Sequence, residues 1–288
     1  FDTFWFDDKD DVSKFDFTNS LFITEHQVDN HIPKRDDCLY FVHRIKDPEK
    51  YNILPPENVI ELAVAFRDMY GKYSMKFKNL NPVPLNEKNY EFYCKNGNHY
   101  NYYTMWGTDL LPHEIQNNID NLEEISKKIN TEVYYFCGSL QNHNMYKNYL
   151  NSKNIVFQKF GGTFQQNHPN NLSIEQHMET IQKSVIAPAF QFNTQLTEKY
   201  IPCRIFKNIS YGRMGITNNK FVNELFDNKL IYNEDVNKCI DMGLEFEKRS
   251  DKLDIIKELM YKVKEDHTYI SRIESMKYFI NNFTKFSI

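Results

Sequence analysis

One stretch of the chain concentrates residue types that could do chemistry: Tyr200-Ile-Pro-Cys-Arg-Ile-Phe-Lys-Asn-Ile-Ser-Tyr-Gly212. A helix starting after Pro202 puts Arg204, Lys207 and Tyr211 at i, i+3 and i+7, on one side. Its N-terminus carries a partial positive charge and free amides, which suit a diphosphate. Gly212 then allows a tight exit into the next strand. The same spacing also fits an ordinary amphipathic helix with solvated cations, so spacing alone leaves both readings open.

Other candidates sit at the ends of short apolar runs. Gly138 and Ser139 follow Glu132 to Cys137, and Gly161 follows Asn154 to Phe160. Backbone amides at such turns can approach phosphate oxygens. Gln191 and Gln195 follow Pro188 and could hydrogen-bond a sugar or base; a plain surface-loop role fits them equally. For taking a proton from a hydroxyl, the strand-end candidates are Glu25, His26, Asp29 and His43. Glu25 and His26 directly follow an apolar run and are preferred. The acidic run Asp7 to Asp11 reads as a solvated turn. The nine histidines form no HExxH motif and no close pair at ligand spacing, so no metal site is expected.

The elements that must position these residues alternate. Asp2 to Phe6, Ser20 to Thr24 and Cys38 to Val42 read as strands, and Val59 to Met69 reads as a helix with proline near its first turn. Residues 71–103 read as aromatic, Asn-rich and irregular. An amphipathic helix is expected from Pro112 to about Asn130, with Ile115, Ile119, Leu122 and Ile125 on one face. Strands are then expected at Glu132 to Cys137, Asn154 to Phe160, Ser184 to Pro188, Gly215 to Thr217 and Leu230 to Tyr232. Between them lie helices at about Asn144 to Ser152, from the capping box Ser173-Ile-Glu-Gln to Lys183, and at Tyr200 to Tyr211, Lys220 to Phe226 and Asp235 to Met242. The tail, Ser250 to Phe286, reads as helical. Such alternation implies a parallel sheet, with ligands beyond the carboxyl ends of its strands.

Composition narrows the function classes. Only 9 of 288 residues are glycine, which excludes collagen-like and flexible-linker proteins. With 35 basic and 39 acidic residues and no long basic block, no nucleic-acid partner is expected. Five widely spaced cysteines without CxxC spacing point to a reducing compartment, hence a cytoplasmic protein. No 18-residue apolar run and no signal-peptide pattern is present, so no transmembrane segment is expected.

Tyr200, Ile201, Pro202, Arg204, Phe206 and Gly212 together resemble the donor-site helix of GT-B glycosyltransferases of the glycosyl transferases group 1 type. The family's pattern is close to Tyr-Ile-Pro-x-Arg-x-Phe-Glu-Ala-x-Ala-x-Gly; here Lys207 stands where the family has glutamate. Val133 to Ser139 is similar to that family's first donor-domain strand and glycine turn, and Ser184 to Pro188 to the strand ahead of the donor helix. The resemblance covers about Trp106 to Gly243. It implies an α/β fold of two Rossmann-like domains facing a cleft, with an N-terminal half shorter than the family's by a strand and a helix. The implied division is an acceptor domain over residues 1–108, a donor domain over 109–265 and a C-terminal helix over 266–288 packing on the first. It also implies a metal-independent enzyme with no cofactor beyond its donor substrate. That enzyme moves a sugar from a nucleotide-diphosphate sugar to a glycan or other hydroxyl acceptor. Gly138, Ser139, Gly161, Gln191, Gln195, Arg204, Lys207 and Gly212 would bind the donor, and Glu25 or His26 would act as base. A non-catalytic GT-B-like scaffold and a sugar-nucleotide epimerase of the same fold remain as alternatives.

Overall fold

A computed structural model describes residues 3, 10–25, 32–43, 54–65, 81–137, 144–161 and 171–288. The chain divides into two units. One comprises Phe1–Met105 with Arg272–Ile288, the other Trp106–Ser271. Both mix helices with sheets, so the chain is an α/β protein. The strand expected at Asp2 to Phe6 lies, save for Thr3, outside the described residues.

The first unit is built on a six-stranded sheet. Strands β1 (Leu21–Glu25), β2 (Leu39–His43) and β3 (Val59–Val64) run parallel, and β3 pairs in parallel with β6 (His99–Thr104). Strands β4 (Val83–Pro84) and β5 (Phe92–Asn96) complete an antiparallel edge, in the order β1-β2-β3-β6-β5-β4.

Two expectations fail here. Over the described part of the helix expected at Val59 to Met69 stands instead the strand β3, preceded by a 3-10 turn at Pro56–Asn58; residues 66–69 lie outside the described residues. Proline serves that turn, not an α-helix, and Val59, Ile60 and Val64 are β-branched residues suited to a strand flanked on both sides. The near-continuous apolar run Val-Ile-Glu-Leu-Ala-Val cannot separate the two by period. Within the stretch expected to be irregular, β5 and β6 form a hairpin closed at Gly97, whose φ is 57°. Asn-Gly between two aromatic strands is the sequence signal for such a turn.

An aromatic layer covers this sheet. Phe279 sits edge-on to Tyr102 and Phe41, at centroid distances of 5.3 and 6.2 Å. It belongs to the last helix, Tyr269–Phe283. The Arg272 guanidinium pairs with the buried Glu91 carboxylate at 2.9 Å. Glu91 also accepts from Asn86 Nδ2 at 2.8 Å and from Thr104 Oγ1 at 3.4 Å.

The second unit is a parallel arrangement with helical crossovers. Strand β7 (Val133–Cys137) pairs with β8 (Val156–Phe160), and β9 (Ile216–Thr217) with β10 (Ile231–Tyr232). The extended segment 184–188 joins them. Val185 N–H donates to Val133 O at 2.9 Å, and Pro188 bridges to Ile216. The full strand expected at Ser184 to Pro188 is reduced to these contacts. Ser184 Oγ takes the Tyr135 amide and donates to Ile186 O, while Pro188 has no N–H to give. Taken in chain order, the five extended segments lie 2-1-3-4-5 across the layer.

The helices here are α1 (Pro112–Asp120), α2 (Leu122–Lys127), α3 (Asn144–Ser152), α4 (Ile174–Lys183), α5 (Asn193–Thr197), α6 (Cys203–Ser210), α7 (Lys220–Leu225), α8 (Val236–Phe246) and α9 (Lys252–Asp266). The single helix expected from Pro112 to Asn130 breaks at Asn121, where ψ is 16°. The helix expected to begin at Tyr200 begins at Cys203, because a residue ahead of proline avoids the helical region. The helix expected to stop at Gly243 runs on to Phe246. Gly243 is there for closeness: a Cβ on it would lie 2.7 Å from Ile216 Cδ1 and 3.2 Å from Ile186 Cγ2.

The buried Arg272–Glu91 pair gives a direct test. Arg272→Leu leaves the Glu91 carboxylate buried without its cation and should destabilise the protein by about 3–5 kcal/mol, read from urea unfolding.

Candidate functional site

In the second unit the chain leaves β7 toward β8 on one side, then returns to segment 184–188 on the other. That reversal defines a topological switch point at the carboxyl end of β7, where open α/β sheets bind ligands. Gly138 and Ser139, which follow β7, lie outside the described residues.

Helix α6 supplies the charge at this point. Its N-cap is Pro202, which offers no side-chain hydrogen bond to the first amides. By contrast, Ser173 caps α4, Asn219 caps α7 and Asp235 caps α8. The Arg204 guanidinium stacks over the Phe136 ring, 4.5 Å from its centroid. Phe136 is the penultimate residue of β7, so this stacking puts Arg204 at the switch point. Among the described residues no carboxylate pairs with it. Cys203, beside it in the first turn, is half-buried.

The other members of the expected helix face are spent differently. Lys207 Nζ donates to Asp109 Oδ2 at 2.8 Å, with the two side chains 23% and 16% exposed. Tyr211 Oη donates to the same carboxylate, 2.7 Å from Oδ1 and 2.8 Å from Oδ2. Burial pushes the Asp109 carboxyl upward, but the Lys207 hydrogen bond and charge, helped by Tyr211, outweigh it and hold the carboxyl below its ordinary value. Burial likewise opposes the Lys207 charge, and Asp109 more than restores it. Burial and the Asp109 charge push the Tyr211 phenol far up. Asp109 is itself anchored by its neighbours: Thr108 Oγ1 lies 2.7 Å from Ser210 Oγ, and Thr108 N–H donates to His267 O at 3.0 Å.

His177, on α4, meets the Tyr211 ring edge-on at 5.8 Å. Burial first, then the Lys207 cation, lower its pKa to about 4; Asp109 pulls it up, and Arg204 adds a smaller downward push. Near neutral pH it is therefore an uncharged imidazole beside two cations.

The remaining expected site residues fall as follows. Gln191 is buried, and its amide is committed to the chain: Nε2 donates to Tyr200 O at 2.6 Å and Oε1 accepts from Asn219 Nδ2 at 2.6 Å. Its backbone exchanges bonds with Asn218 at 2.9 and 3.0 Å. It thus works as a latch between segments and presents no free amide to a sugar. Gln195 Oε1 accepts from Phe192 N–H at 3.3 Å in the first turn of α5. Gly161 ends β8 with φ of 68°. Gly212 closes α6 with φ of 91°, a conformation that other residues rarely adopt. In the first unit, Glu25 is the last residue of β1, opposite His43, and His26 lies outside the described residues.

Sequence reasoning missed Asp109 and His177. A half-buried lysine demands a carboxylate, but Lys207 and Asp109 are 98 residues apart and no spacing rule joins them. His177 sits four residues after the Ser173 cap, a position with no signal of its own. Among the described residues, no group of three or more His, Cys, Asp or Glu could hold a metal ion, and no helix is long and apolar enough to cross a membrane. No family model, no curated protein and no solved structure matches the chain.

The His177 environment fixes a pH dependence. Its folded pKa lies below the ordinary 6.5, so the unfolded chain binds the proton first as pH falls. Stability is full above about pH 6.5 and declines toward pH 4, by up to about 3 kcal/mol. Urea unfolding of the wild type across this range should show that loss, and His177→Asn should lack it.

Proposed function

We propose that the chain is a glycosyltransferase of the GT-B kind, with the second unit holding a nucleotide-diphosphate sugar. The observation that carries this reading is Arg204: a half-buried guanidinium, uncompensated among the described residues, at the switch point of a parallel sheet. The uncapped first turn of α6 adds partial positive charge at the same place. Two cooperating cationic features suit two adjacent phosphates, and charge-assisted hydrogen bonds from arginine are the strong ones.

The acceptor hydroxyl oxygen forms a bond to the anomeric carbon, and the bond from that carbon to the diphosphate oxygen breaks. Negative charge collects on the leaving diphosphate, where Arg204 and the α6 amides stabilise it. The acceptor proton goes to a base, the role the family resemblance gives to Glu25 or His26. Lys207 takes no direct part: its ammonium is bound to Asp109 and holds α6 in place.

That last point favours a second reading. Lys207 replaces the family's glutamate and cannot accept a hydrogen bond. A GT-B-like protein that binds its ligand without turnover fits the same chemistry. A transfer and hydrolysis assay with mixed glycan acceptors separates the two, since a scaffold gives neither product.

Calorimetric titration with UDP-, GDP-, dTDP- and CMP-sugars tests the donor reading. One of the diphosphate donors should bind, and Arg204→Ala should weaken it by about 1.5–3 kcal/mol. Failure of every nucleotide sugar to bind, or unchanged affinity in the folded variant, defeats it.

A further inference from the structure

His177 is a titratable group beside α6 that neither the proposed reaction nor the Asp109 knot uses. Its position is specific. It packs edge-on against Tyr211, on the helix face that also carries Arg204 and Lys207. The ring is half-buried, so protons still reach it. Among the described residues, the charged and titratable groups around it are Arg204, Lys207 and Tyr211 from α6, and Asp109 from the segment ahead of α1. Of these, the two cations oppose a charge on the imidazole, and the single carboxylate is already engaged by Lys207 and Tyr211.

We propose that His177 couples donor binding to proton uptake: a diphosphate arriving at Arg204 is accompanied by a proton on the His177 imidazole. This rests on the reading of the second unit as a nucleotide-sugar site.

The physical reason is charge balance. In the free protein burial, reinforced by the Lys207 and Arg204 cations, keeps the ring neutral. A bound diphosphate diester brings two negative charges beside those cations and cancels their field at the ring. At an effective dielectric of about 20, one charge about 10 Å away, the rise of seven helical residues, is worth roughly 1 pKa unit, and the two charges of a diphosphate about two. The imidazole then protonates at a pH where the free protein leaves it neutral. Donor affinity consequently rises as the solution is acidified. If the bound-state midpoint lies about two units above the free one, affinity gains about tenfold between pH 7 and pH 5.

A nucleotide sugar is the right probe, because its diphosphate is a diester and binds no proton of its own in this range. Free nucleoside diphosphate would confuse the measurement with its terminal phosphate. Calorimetry of the binding donor at pH 5.5, in two buffers of different ionisation enthalpy, counts the protons exchanged. The wild type should take up a substantial fraction of a proton, and His177→Asn should take up none. In parallel, the imidazole proton resonance titrating near pH 4 in the free wild type should move up by a unit or more when the donor is bound, a readout independent of how the variant folds. Binding without uptake, uptake undiminished in His177→Asn, or an unmoved midpoint overturns the coupling alone. Absence of any nucleotide-sugar binding overturns the donor reading with it.

Discussion

The Asp109 carboxylate is the constraint on which the second unit's site depends. Two donors, the Lys207 ammonium and the Tyr211 hydroxyl, make three short contacts with its two oxygens, the hydroxyl being shared between both. A carboxylate this enclosed survives only with its charge matched, and a lysine this enclosed keeps its charge only beside a carboxylate. The knot therefore fixes where the second half of α6 lies. Phe206, on the next turn, stacks on His267 at 4.6 Å, so the helix is held on a second side. With its C-terminal half pinned twice, α6 has little freedom in where it aims its first turn.

The first turn is set by different chemistry. Gln191, Asn218 and Asn219 form a buried network of amides around the Tyr200 carbonyl, without a formal charge among them. It joins the exit of segment 184–188, the approach to α6 and the exit of β9. One end of α6 is thus located by an ion pair and the other by neutral hydrogen bonds. Arg204 lies between them, stacked on Phe136. Among the described residues, Asp109 satisfies Lys207 and Tyr211, and no carboxylate pairs with Arg204.

Much of the second unit was legible in the residues, and for stated reasons. Strands β7 to β10 and the helices between them follow from short apolar runs separated by capping signals, as at Ser173 and Asp235. The face of α6 was legible because i, i+3 and i+7 are adjacent on any helix. What that face touches was not. Asp109 is distant in sequence, and whether Lys207 meets solvent, phosphate or a carboxylate is decided by tertiary contact. In the first unit β1 and β2 were legible as apolar runs. Strand β3 was misread as a helix because a run apolar on nearly every position has no period, and Pro56 serves a 3-10 turn as readily as a helix start. The β5–β6 hairpin was overlooked although Asn96-Gly97 marks it, because its tyrosines and asparagines do not look like a core until the sheet stacks Phe92 on Tyr103.

The sulfur atoms carry a practical consequence. Cys38, Cys94, Cys137 and Cys239 are buried, and burial pushes the Cys137 thiol up to about 12 and those of Cys94 and Cys239 to about 11. Thiolate, the reactive form, is scarce at these four. Cys203 alone is partly open to solvent, and it is the first residue of α6. The native chain therefore carries its own labelling address. A thiol-directed fluorophore added to the folded protein reports from the first turn of α6, one residue ahead of Arg204.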